Sequence, residues 1–82
     1  MMKVLRDSHI GSNIRKIRQS KGYTQEHVVA GLQLLGSPIH RVSYAQIESG
    51  RNNIFVTDLV AMKQFFDVDY SEFFKGISTS RL

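Results

Sequence analysis

The sequence has 82 residues and no cysteine, so one small domain must hold itself together by packing, without disulfides or thiolate metal sites. No apolar run approaches the roughly 20 residues that cross a bilayer, and Met1 to Asp7 lack an apolar core of signal-peptide length; the reading is a cytoplasmic protein that does not span a membrane. The formal charge of +4 is uneven, with eight Lys/Arg against three Asp/Glu in residues 1–51 and three against four in residues 52–82, which suits a polyanion-facing part backed by a packing half.

Residues 1–9 read as an N-terminal arm. A first helix is expected from about Ser12 to Ser20, with Ser12 as its N-cap. Ile10, Ile14 and Ile17 recur at i, i+4 and i+7 and share one face, and Gly22 ends the helix. A second helix is expected over Gln25 to Leu35. Thr24 caps it, Glu26 stands in its positive first turn, and Val28, Leu32 and Leu35 form its apolar stripe. Gly31 costs this helix about 1 kcal/mol relative to alanine, which suggests that another helix approaches closely there. Gly36-Ser37-Pro38 is a turn.

A third helix is expected from Arg41 to Ser49, stopped by Gly50. Tyr44 and Ile47 face the core, and His40 reads as either its N-cap or a phosphate contact. Asn52-Asn53 make a polar turn. A fourth helix begins at Val56 or Thr57 and runs to Phe66, with Leu59, Met62, Phe65 and Phe66 at helical spacing. A fifth spans about Ser71 to Phe74. No alternation lasts long enough to make a strand. The fold class is therefore a compact all-α domain of five helices over residues 10–75, followed by a flexible tail at 76–82.

Catalytic chemistry has little to stand on. His9, His27 and His40 have no metal-ligand spacing, and neither a His-Glu-x-x-His pair nor a glycine-rich phosphate loop is present. Glu26 and Glu48 are isolated carboxylates with structural explanations. The expectation is a protein without catalytic residues, metal or cofactor.

Several short pieces gain meaning together. They are Ile14-Arg15-x-Ile17-Arg18, then Gly22-Tyr23-Thr24-Gln25-Glu26, then Ser43-Tyr44-x-Gln46-Ile47-Glu48-x-Gly50, then Leu59-Val60-x-Met62 and Phe66-x-Val68. In this order and near this spacing they resemble the Cro/lambda-repressor type of helix-turn-helix, the xenobiotic-response-element family, over residues 10 to 74. The resemblance implies a sequence-specific regulator of transcription, repressor or small activator, that binds double-stranded DNA, with the third helix in the major groove.

The resemblance also implies residue roles. Gln25 meets a phosphate or base edge at the positive start of the second helix. Arg41, Val42 and Gln46 read bases, and between them they offer a partner for guanine, for a thymine methyl and for adenine. Ser43 lies toward the DNA backbone, as His40 does if it is a phosphate contact rather than the N-cap, and Arg51, Asn52 and Asn53 form a loop that touches it. Arg18 and Glu48 form an ion pair tying the third helix to the first. Arg41, Gln46 and Arg51, read as free of acidic neighbours, favour DNA over a protein partner.

Two departures from the family pattern stand out. Leu32 to His40 runs about five residues longer than usual, which bears on the tilt of the third helix, and Val29 replaces a common alanine. A homodimer is expected, because one such helix reads few base pairs. Ile54, Phe55, Phe65, Phe66, Phe73 and Phe74 supply apolar surface for core and interface. The alternative is an antitoxin-like module with this fold and a protein partner. RNA is disfavoured by the absence of an aromatic platform on a sheet.

Overall fold

The computed structural model describes residues 3–4 and 8–77. Its elements in chain order are β1 (Lys3–Val4), α1 (Ser8–Ser20), α2 (Gln25–Leu34), α3 (Arg41–Glu48), β2 (Ile54–Phe55) and α4 (Val56–Phe66), closed by a 3-10 helix over Tyr70–Phe74. The arm and tail assigned from sequence fall largely on residues outside the described ones.

Thr24 caps α2 as its residue type predicts: its backbone is extended and its hydroxyl accepts the His27 N–H at 3.0 Å. The chain then leaves α1 and α2 through Gly22 and Gly36, whose φ angles of +74° and +92° lie in the left-handed region that a side chain disfavours. At the end of α4 the same conformation falls on Asp67, at φ 55°, a residue type that tolerates it better than most.

Three expectations need correction. The first helix starts at Ser8, so Ser12 lies inside it and caps nothing. The early start includes Gly11, a poor helix former, because Gly11 is the point where α1 meets the end of α3. A Cβ there would overlap the Ile47 carbonyl oxygen and come within 2.8 Å of the Glu48 carbonyl oxygen. Tertiary contact overrides propensity.

The fifth helix is a 3-10 turn rather than an α-helix, so the described residues hold four α-helices. Five residues close too few α-type bonds to favour the wider helix. Finally, a two-residue antiparallel pair exists, with Lys3 opposite Phe55 and Val4 opposite Ile54. It is too short to leave an alternating pattern in the sequence.

The core is continuous. Ile14, Val28, Leu32, Tyr44, Met62 and Phe73 are fully buried within it. The 3-10 helix packs across α1, and Asn13 fastens it there: the buried amide donates to the carbonyls of Phe73 at 2.9 Å and Lys75 at 2.8 Å. α2 packs on α3 and α4. Gly31 makes the second contact close, as a Cβ there would run into the Phe65 ring, and that ring also stacks near Tyr23 and His27.

The lengthened turn before α3 has its own polar anchor. The buried Ser37 hydroxyl donates to the buried Asp58 carboxylate at 3.1 Å and accepts the Ile39 N–H at 3.3 Å. This pairs the extra residues to the first turn of α4 and sets where α3 begins.

Candidate nucleic-acid interface

α3 is amphipathic in three dimensions. Tyr44, Ile47 and Glu48 are buried, while Arg41, Val42, Gln46 and Ser49 are exposed, with Ala45 half-buried between them. Val42 is 66% exposed, far more than an apolar side chain at a core contact. The outward stripe therefore runs through Val42, Gln46 and Ser49, with Arg41 at its start. Ala45 and Ser49 were not foreseen. They are small, so their signal in the sequence is weak, yet they keep the middle of the stripe low.

His40 is the N-cap of α3, with extended backbone. Its N–H donates to the Ser43 hydroxyl at 3.2 Å, and that hydroxyl donates to the His40 carbonyl at 2.9 Å. The first turn is thus closed by its own side chains. At the other end, the Arg51 N–H reaches the Gln46 carbonyl at 2.8 Å. The Asn52 amide leans on the Gln46 side chain at 3.4 Å, and the Asn53 N–H donates to the Asn52 side chain at 2.9 Å. Arg51 points to solvent.

A polar chain joins three helices behind this face. Arg18 grips Glu48 with two bonds, Nε to Oε2 at 2.7 Å and Nη2 to Oε1 at 3.1 Å, and its Nη1 donates to the Tyr23 carbonyl at 2.9 Å. The two side chains are 13% and 4% exposed. Gln25 continues the chain: its Nε2 donates to Glu48 at 3.1 Å and its Oε1 accepts Arg41 Nε at 3.3 Å. Burial pushes the Glu48 carboxyl up, but the hydrogen bonds led by Arg18 outweigh it and hold Glu48 below its ordinary value, while Arg18 is raised by the same contact. Tyr44 lies beside the pair, its buried hydroxyl without a hydrogen-bond partner among the described residues. Burial, and after it the nearby Glu48, raise its pKa well above the phenol range, so it stays neutral.

Arg41 does have an acidic neighbour, contrary to expectation. Its Nη1 pairs with Glu26 at 2.9 Å. The starts of α2 and α3 converge, which brings together residues fifteen positions apart that no helical periodicity relates. Arg15, turned away from the core, also belongs to this side. It lines a cleft of about 160 Å³ with Gln25, Ala45 and Ser49.

The apolar residues expected at an interface divide. Ile54, Phe66 and Phe73 are consumed by the core and offer no surface, whereas Phe55 and Phe74 remain exposed to about two-fifths. Leu34 and Leu35, on the lengthened tip of α2, are exposed at 89% and 47%. Among the described residues, no cluster of three His, Cys, Asp or Glu is placed to hold a metal, and no helix is long and apolar enough to cross a membrane.

No family model matches the chain and no curated protein matches its sequence. Among solved structures, the crystal structure of the restriction-modification controller protein C.AhdI from Aeromonas hydrophila is similar, with a TM-score of 0.72 and 21% identity over 82% of this chain and 94% of that one. With the order of α1 to α4 and the outward stripe of α3 already in view, this likeness establishes the architecture: the chain has the helix-turn-helix fold of the Cro/lambda-repressor type.

Proposed function

We propose that the chain is a sequence-specific regulator of transcription that binds double-stranded DNA by laying α3 in the major groove. The observation that carries this reading is the exposed stripe of Arg41, Val42 and Gln46 on a helix whose opposite face is locked into the core. The start of α2 with Gln25 stands beside that stripe, and Arg15 and Arg51 flank it, as a helix braced between phosphates requires. The likeness to a protein named as a controller supports a regulatory role. In this reading residues 10–75 form the DNA-binding domain, and His40, Ser43, Asn52 and Asn53 lie along the phosphates. The protein works in the cytoplasm without a cofactor and without catalysing a reaction.

Two copies on an inverted repeat complete the proposal, with Phe55 and Phe74 as apolar surface left for self-association. The antitoxin-like alternative draws on a specific observation, the nearly full exposure of Leu34, which a protein partner would cover. Selection of bound sequences from random duplex DNA separates the readings. Recovery of an inverted repeat supports the first, and no enrichment of any sequence counts against it. On the recovered site, Arg41→Ala is expected to relax preference at one base position at a cost of about 1–3 kcal/mol. A uniform loss on all sequences reassigns Arg41 to a phosphate.

A further inference from the structure

Arg41 opens the outward stripe, yet its guanidinium is not free. Nη1 meets Glu26 at 2.9 Å and Nε meets Gln25 at 3.3 Å, with both charged side chains in solvent, 53% exposed for Arg41 and 77% for Glu26. Between residues 8 and 55 the only carboxylates are Glu26 and Glu48. Glu48 is buried against Arg18. Glu26 is therefore the one exposed negative charge in that span, and it stands in the first turn of α2, beside the helix that the proposed function directs at a polyanion. Its place in the first turn of α2 suits the helix dipole, but for attraction to a polyanion it is a cost.

We propose that Glu26 is a positioning residue for specificity, acting through Arg41, and this rests on the DNA-binding reading above. A guanidinium carries five N–H donors, and the contacts to Glu26 and Gln25 engage two of its nitrogens. The remaining donors can meet the guanine edge, a neutral acceptor that tolerates a carboxylate alongside. A phosphate is an anion, and drawing Arg41 onto it sets two negative groups around one cation. Glu26 thus makes the neutral base edge a better partner for Arg41 than the backbone. Contacts that add affinity to every sequence are penalised, and those that read a base are spared. Gln25, held by Glu48 on its other side at 3.1 Å, fixes the direction in which the guanidinium points.

The test uses the full chain and the variants Glu26→Gln, Arg41→Gln and the double variant. Each is titrated by fluorescence anisotropy onto the duplex recovered by selection and onto an unrelated duplex, across a series of salt concentrations. Glu26→Gln is expected to bind the unrelated duplex about 3- to 10-fold more tightly, with its log affinity against log salt steeper by about 0.9, the signature of one added phosphate contact. The ratio of affinities between the two duplexes falls. In the Arg41→Gln background the steepening vanishes, which simple loss of negative charge does not predict. An unchanged slope on the unrelated duplex, or an equal gain on both duplexes, overturns the proposal while leaving DNA binding intact. Failure of the unsubstituted chain to bind any duplex overturns the functional reading itself.

Discussion

Replacing Glu48 by alanine is expected to cost roughly 3–5 kcal/mol of folding stability, the range for removing one partner of a buried ion pair. The carboxylate is 4% exposed, and two bonds from Arg18 and one from Gln25 converge on it. The substitution strands the Arg18 charge, releases Gln25 and unfastens the end of α3 from α1 together. In a domain of this size the melting temperature drops by at least about 12 °C, taking about 4 °C per kcal/mol. In the proposed DNA-binding role, any change in base preference, read below that temperature, is smaller than the loss of stability and comes through the released Gln25 and its bond to Arg41, since Glu48 itself faces inward. A melting temperature unchanged by the substitution sinks the argument. The sign with pH follows from the lowered carboxyl. Stability from Glu48 is complete above the ordinary value of 4.5 and drains away as pH falls through the lower folded value. Glu48→Gln, which has no carboxylate to protonate, loses less stability than the unsubstituted chain as pH drops from about 5 to 3.

Gly11→Ala is expected to cost up to about 2 kcal/mol, since overpacking of about 1–3 kcal/mol is offset by about 1 kcal/mol from the better helix propensity of alanine. The added methyl meets the carbonyl oxygens of Ile47 and Glu48. These are backbone atoms at the end of α3 and can retreat only if the helix shifts. Gly31→Ala is the informative comparison. Its methyl meets the ring of Phe65, a half-buried side chain that can rotate, and the propensity gain of about 1 kcal/mol offsets most of that adjustment. Thermal unfolding of the two variants should rank Gly11→Ala well below Gly31→Ala. The reverse ranking would mean that α1 and α3 do not meet at Gly11.

What the sequence made legible was local. Thr24 announces α2 because an N-cap hydroxyl needs only the N–H three residues on, and Gly22, Gly36 and Gly50 announce the helix ends because each needs a positive φ. The packing of Gly31 was readable as an anomaly, a costly residue in the middle of a good helix. What stayed hidden depended on distant partners. The part played by Gly11 is set by the carbonyls of α3 packed against it, which no local pattern shows. Ser43 reads from sequence as a contact to the DNA backbone, and that its hydroxyl closes the turn at His40 needs the folded helix start. Glu26 reads as a dipole partner until α3 brings Arg41 to it. Phe66 and Phe73 read as apolar surface for core or interface, and only the packing of α4 and the 3-10 helix shows them spent in the core.

The bonds from Asn13 to the carbonyls of Phe73 and Lys75 set an order of events during synthesis. The partners lie 60 and 62 residues apart, so α1 leaves the ribosome long before the segment that closes over it. At about 5–20 residues per second that wait is on the order of 3–12 s, with Ile10, Ile14 and Ile17 lacking their final cover. α3 inherits the delay, because it is anchored on α1 through Glu48. Nascent chains shorter than about residue 75 therefore present an unfinished apolar face to chaperones and proteases, and the fold is completed late and at once rather than helix by helix.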